Sequence, residues 1–241
     1  RFDFELNYPE TRKDQVEDDY FGFNVADPYR WLEDDRSEET GEWVKKQNEL
    51  TFSYLEKIPF RNQIKDRLTK LWDYPRTSAP SKKGDKYFLY KNDGLQNQSV
   101  MFYKNSLDGE DIELLDPNKL AEDGSISLAG AAVSEDGKYL AYSISKSGSD
   151  WREVFVRDIE TGEDLSDHIK WVKFSGVAWY KDGFFYARYP QPKEGTELTA
   201  ENKNSQVYYH KLGDSQENDI LIYQDNENPQ YGFSVGVTEN K

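Results

Sequence analysis

Two periodicities divide the chain. Between residues 37 and 73 apolar side chains recur every three or four positions. In "SEETGEWVKKQNELTFSYLEKIP" Trp43, Val44, Leu50, Tyr54 and Leu55 share one helical face, and in "FRNQIKDRLTKLWDYP" Phe60, Ile64, Leu68, Leu71 and Trp72 form a stripe opposite Lys and Arg. Pro59 starts the second helix and Pro75 lies just beyond its end. Two such helices cannot bury their apolar faces alone, so they are expected to pack on another body.

From about residue 76 the period becomes two. "KKGDKYFLYKN" (82–92), "SEDGKYLAYSIS" (134–145) and "YKDGFFYARYP" (180–190) each read as a turn followed by an aromatic strand. A second set follows them: "SVMFYKNSLDGE" (99–110), "REVFVRDIETGE" (152–163) and "SQVYYHKLGDS" (205–215), whose glycines Gly109, Gly162 and Gly213 are 53 and then 51 residues apart. A repeat of this length built from short strands and polar turns predicts β-propeller blades, each a four-stranded antiparallel meander. The second blade would use "LAGAAVS", "KYLAYSIS", "EVFVRDI" and a short edge near "DLSDHIK", while "IELLD" and "DILIYQ" supply clearer fourth strands in the first and third.

The repeat also interprets "GFSVG" at 232–236, a G-x-S-x-G match that can mark a nucleophilic serine. Aligning "GAAVSEDGK", "GVAWYKDG" and "SVGVTENK" puts Val133, Trp179 and Val237 in register, followed by Asp136, Asp182 and Asn240 in the turn. Ser234 then opens the first strand of a fourth blade. The nucleophile reading fails because only seven residues follow it, because His168 and His210 both precede it, and because its surroundings form a β meander. With three blades and the start of a fourth, against the 4 to 8 that close a ring, the chain is expected to be part of a longer polypeptide.

Composition narrows the partners. Lys and Arg number 31 against 46 Asp and Glu, giving a net charge of −15. Such a surface argues against nucleic acid, which needs clustered cations. With no Cys, disulfides, thiol catalysis and Cys-based metal sites are excluded. No apolar run is long enough to cross a membrane, no signal-like apolar stretch stands at the start, and the compartment is left open between cytoplasm and periplasm. His168 and His210 lie in no metal-ligand spacing, so neither a metal nor a cofactor is expected.

"DPYRWLEDDRSEET" (27–40) brings a family into view, and further motifs follow in order: "GLQNQSV" (94–100), "LDPN" (115–118), "SGSDW" (147–151), "VKFSG" (172–176) and "YYHKLG" (208–213). The chain resembles the N-terminal third of the prolyl oligopeptidase family of serine peptidases. That resemblance implies a seven-bladed propeller inserted into an α/β-hydrolase domain. Residues 1–75 would be the helical N-terminal segment of that domain, and residues 76–241 blades 1 to 3 with the start of blade 4. It also implies cleavage of short peptides after proline by a Ser, Asp and His triad in the C-terminal part, a monomeric complete enzyme, and no catalytic residue in this chain. The helical stripes would lie against the hydrolase domain.

Within the propeller, the loop before strand one and the loop between strands two and three should emerge on one face. Phe174, Asp150 and Gln96 occupy such loops. By resemblance Phe174 would help line a substrate pocket with its ring, and Asp150 would orient a cationic side chain of the opposing domain; the competing roles are a ring packed between blades and an Asx turn. The long segment 191–204 on the same face is a candidate gate. Asp27, Pro28, Tyr29, Trp31 and Leu32 read as a turn with an aromatic plug. Two other readings fit the same sequence: a propeller that binds peptide or protein without turnover, and dibasic specificity of the oligopeptidase B type.

Overall fold

The computed structural model describes residues 6–238. It divides into two compact units, one up to Trp72 and one from Asp73.

The first unit opens with a hairpin, β1 (Glu17–Tyr20) and β2 (Phe23–Ala26), turned through Phe21 and Gly22, both in the left-handed region. The sequence reading missed it because its strands alternate poorly and only the two-residue turn marks it. Helices α1 (Glu38–Glu56) and α2 (Arg61–Trp72) follow. Ser37 caps α1 by accepting from the Thr40 amide at 3.1 Å, with Glu38 and Glu39 in the first turn complementing the helix dipole. The expected aromatic plug has a definite form: Trp31 Nε1 donates to the Arg12 carbonyl at 3.0 Å while the Arg12 guanidinium lies over its ring at 4.8 Å. Trp43 Nε1 donates to Thr11 Oγ1 at 2.9 Å. In α2 nothing is buried, and Ile64, Leu68, Leu71 and Trp72 are exposed along one stripe.

The second unit is built of three four-stranded meanders. The first strand of blade 1 comes in two pieces, β3 (Arg76–Thr77) and β4 (Ser81–Lys83), interrupted near Pro80 and both paired with β5 (Lys86–Asn92); β6 (Val100–Lys104) and β7 (Ile112–Leu115) complete it. Blade 2 uses β8 (Ile126–Val133), β9 (Tyr139–Lys146), β10 (Arg152–Asp158) and the first half of β11 (Asp164–Tyr180). Blade 3 uses the second half of β11, then β12 (Gly183–Arg188), β13 (Gln206–Lys211) and β14 (Ile220–Gln224).

β11 is the departure from the sequence reading, which separated "DLSDHIK" from "GVAWY". The two run on as one 17-residue strand, outer in blade 2 and inner in blade 3. Val172 pairs with Arg152 on one side and Arg188 on the other, and the register breaks between Val172 and Val177. Phe174, at φ 55°, absorbs the turn inside this break, and Trp171, at φ 63°, sits in the shift against β10 between Ile169 and Val172.

Strand alternation then builds two cores. β9 sends Leu140, Tyr142 and Ile144 toward Phe88, Met101 and Leu115 of blade 1. Its Ala141 faces the other way, toward Val154, Val172, Trp179, Phe184 and Tyr186. A strand buried on both faces explains why "YLAYSI" reads as nearly continuous apolar sequence. Each fully buried ring such as Phe184 contributes about 3 kcal/mol. Trp179 ties the inner strands together, donating from Nε1 to the Ala132 carbonyl at 2.8 Å. The turns at the far end from Phe174 meet closely: a Cβ on Gly137 would lie 2.6 Å from the Lys83 carbonyl, and one on Gly84 would overlap the Asp136 carbonyl. Residues 231–238 form no strand, since a first strand makes its ladder to a second strand and the described residues hold none for it. Val237 nevertheless sits with Val133 and Trp179 around one cavity, as their register expects. Asn240 lies outside the described residues.

His210 is not isolated as its sequence neighbourhood suggests. Fully buried, it places Nε2 2.9 Å from Asp167 Oδ1 and Nδ1 2.6 Å from Asp219 Oδ1. Tyr186 donates to the other Asp219 oxygen at 2.5 Å. Burial disfavours the imidazolium, but the two carboxylates outweigh it and push the pKa up to about 9. Burial likewise opposes the charged form of Asp167, yet hydrogen bonds from His210 and the Gly213 amide hold its pKa below the usual range. A raised histidine pKa stabilises fully below 6.5 and loses that contribution as pH climbs to about 9, an amount on the order of 3 kcal/mol. The melting temperature should therefore fall between pH 6.5 and 9.5. His210→Gln should lower stability at neutral pH by roughly 3 kcal/mol or more by leaving buried carboxylates unpaired, and should flatten that slope; an unchanged slope in the variant would contradict the assignment.

Candidate functional site

One end of the blades gathers the candidate residues. The loop between β9 and β10, the crossing within β11, and the segment 191–204 between β12 and β13 converge there. Trp151 stacks edge-on against Trp171 with centroids 5.4 Å apart, and its Nε1 donates to the Glu197 carbonyl at 2.7 Å. Lys173, only 8 % exposed, places its ammonium 4.4 Å from the Trp151 ring centre and 5.7 Å from that of Phe174, and donates to Asn202 Oδ1 at 2.9 Å. A buried ammonium held by ring faces and one amide oxygen ties three segments at a single point.

Phe174 is 56 % exposed. Its left-handed backbone turns the ring out of the blade instead of into the core, the opposite of a ring packed between blades. Asp150 is exposed and has no hydrogen bond or ion pair to any described residue. The turn it stands in is capped by its neighbour Ser149, whose Oγ accepts from the Trp151 amide at 3.1 Å. The carboxylate of Asp150 is thus available to a partner. Gln96 is used up within its own loop, accepting from the Asp93 amide at 3.0 Å.

The segment 191–204 is folded. Thr196 accepts from the Ala200 amide at 2.7 Å and Asn204, at φ 60°, donates to the Pro229 carbonyl at 2.6 Å. Glu197 and Asn202 clip it to Trp151 and Lys173. Sequence reasoning did not single out Lys173, Trp171 or Asn202; the available signal was the density of aromatics in "SGSDW" and "KWVKF" at two connections sent to one end.

The other motifs have structural work. Gln98 of "GLQNQSV" takes the place of a strand residue, donating from Nε2 to the Ile126 carbonyl and accepting from the Leu128 amide, both at 2.8 Å. Asn118 of "LDPN" donates to the Gln98 carbonyl at 2.9 Å and accepts from the Gln98 amide at 3.0 Å. Together they fasten blade 1 to the first strand of blade 2. Ser234 is exposed and bonded to neither histidine. Among the described residues no group of three or more His, Asp or Glu could hold a metal ion.

With this architecture in view, comparison with known proteins assigns the class. Residues 8–241 match the family described as "Prolyl oligopeptidase, N-terminal beta-propeller domain", and the chain belongs to that family. Among individual proteins, it is 46 % identical to a prolyl endopeptidase of Elizabethkingia miricola over 98 % of this chain and 34 % of that protein. It is 37 % identical to prolyl oligopeptidase A of Amanita bisporigera over 97 % and 35 %. Among solved structures, prolyl oligopeptidase B from Galerina marginata bound to a 35mer hydrolysis and macrocyclization substrate superposes with a TM-score of 0.85 at 34 % identity, covering 97 % of this chain and 36 % of that one. The chain therefore spans about a third of the relatives it matches, the N-terminal propeller region of a peptidase family.

The Lys173 contacts carry a test. Lys173→Met keeps the apolar stem and removes the charge, and should speed amide exchange across residues 197–204 about tenfold. Lys173→Arg should restore protection. Unchanged exchange in the methionine variant would show that the loop is held by other contacts.

Proposed function

We propose that this chain is the N-terminal part of a serine-type endopeptidase that hydrolyses short peptides on the carboxyl side of proline. In this reading the first unit joins an α/β-hydrolase domain carrying the Ser, Asp and His triad, with the apolar stripe of α2 buried against it. The blades cover the active site and filter peptides by size. The observation that carries the reading is the pairing of an outward-held ring, Phe174, with an unpaired carboxylate, Asp150, at one end of the blades. Phe174 supplies apolar contact to the substrate, and Asp150 orients a cationic group of the hydrolase domain.

The full natural polypeptide should cleave a Gly-Pro chromogenic substrate and be inactivated by a serine-directed organophosphate, whereas residues 1–241 alone should do neither. Phe174→Ala in the full polypeptide should raise KM about tenfold or more, the loss of one buried ring contact, with kcat changed less. Cleavage after other residues, or a KM indifferent to Phe174, would overturn the proposal.

A further inference from the structure

Some arginines hold carboxylates: Arg157 holds Asp164 at 2.7 Å, and Arg30 holds Asp18 and Asp27, while exposed Arg61 and Arg67 on α2 hold none among the described residues. Nor does Arg152. It is half-buried and makes no side-chain hydrogen bond, ion pair or ring contact with any described residue. Alternation along β10 places it on the face of Val154 and Val156, between blades 2 and 3. There it lines a cavity of about 210 Å³ with Gly130, Ala132, Ser143, Ser175 and Gly176. The volume is several times the roughly 30 Å³ that one water occupies in the liquid.

Two further features make this cavity suit an anion. The Ser143 hydroxyl has no hydrogen-bond partner among the described residues, and a Cβ on Gly130 would crowd it at 3.1 Å, so glycine there keeps the hydroxyl open. Arg188 faces the same interface from β12, in line with Arg152 through Val172, and its buried Nε also lacks a partner. Its guanidinium rests on the Tyr208 ring at 4.3 Å and meets no carboxylate. Arg188 does not line the cavity, so it is Arg152 that brings to it a guanidinium with no counter-charge among the described residues, a group that an anion would complete.

We propose that the cavity between blades 2 and 3 is a carboxylate subsite, in which Arg152 and Ser143 donate to a carboxylate of the bound peptide. The proposal rests on the peptide-substrate reading above. Apart from Arg152 its walls are alanine, glycine, serine and valine, so it takes the carboxylate with few atoms attached. The group comes either from the peptide C-terminus or from an Asp or Glu side chain.

The test uses the full natural polypeptide and three proline peptides of one sequence: the free acid, the C-terminal amide, and the amide ending in Glu. The wild type should show a KM about tenfold lower for the free acid than for the amide, the size of one charge-assisted hydrogen bond. If the Glu amide alone is favoured, the side chain is the source. Arg152→Gln should remove the preference, bringing the KM of the free acid to that of the amide, and Arg152→Lys should keep part of it. Ser143→Ala should weaken it several-fold and serves should the arginine variant fold poorly. A second arm needs no turnover: sodium acetate should raise the melting temperature of the wild type above that in sodium chloride of equal ionic strength, but not that of Arg152→Gln. Absence of prolyl cleavage with an Arg152-dependent acetate effect would sink the peptidase reading and leave the subsite standing. Equal KM values for all three peptides in the wild type, a preference that survives in Arg152→Gln, or equal acetate protection of both proteins would overturn the subsite.

Discussion

The crossing of β11 from the outer edge of blade 2 to the inner edge of blade 3 is the constraint on which the candidate site depends. A continuous strand cannot change sheets without breaking its register, and here the break falls between Val172 and Val177. Two bulky residues take left-handed backbone here: Phe174 within that break, and Trp171 in the shift against β10 just before it. Such conformations cost of order 1–3 kcal/mol each. The offset comes from contacts that the same turn creates: Trp171 against Trp151, Lys173 between two rings, and Ser175 Oγ accepting from the Ala187 amide at 2.9 Å. What remains outside is the Phe174 ring, exposed because the backbone that crosses between blades points it away from both cores.

Charge follows the same geometry. At the opposite end of the blades, acids and bases alternate in paired turns, as with Lys83 and Glu135 at 2.5 Å, and the imidazolium of His210 is shared by two buried carboxylates, Asp167 and Asp219. At the Phe174 end the pairing is incomplete. Asp150, Arg152 and the ammonium of Lys173 have no oppositely charged partner among the described residues. Asp150 stands exposed where the loops converge, open to a peptide or a second domain.

Much of this was legible in the sequence. Alternation and turn glycines gave three blades because each strand is half or fully buried and each turn recurs at the same place, and the register of Val133, Trp179 and Val237 reappears around one cavity. The helical stripes were legible for the same reason, since burial or its absence does not alter a period. Contacts between distant segments were not. Asp167 and Asp219 lie 43 and 9 residues from His210, and nothing local announces that two strands and the turn before β14 bring them together. Lys173 looks like one lysine in a basic stretch until the loop carrying Asn202 closes over it. The continuity of β11 was hidden because a strand-breaking turn and a strand that bends look alike in a linear pattern.

The central claim is that the end of the blades carrying Phe174 and Asp150 faces the peptide. A proline peptide bearing a photoactivatable group, cross-linked to the full natural polypeptide and mapped by mass spectrometry, tests it most directly. The account predicts label within residues 150–152 and 171–176. Label confined to the turns at 135–138 and 181–183, at the other end of the same strands, would contradict it.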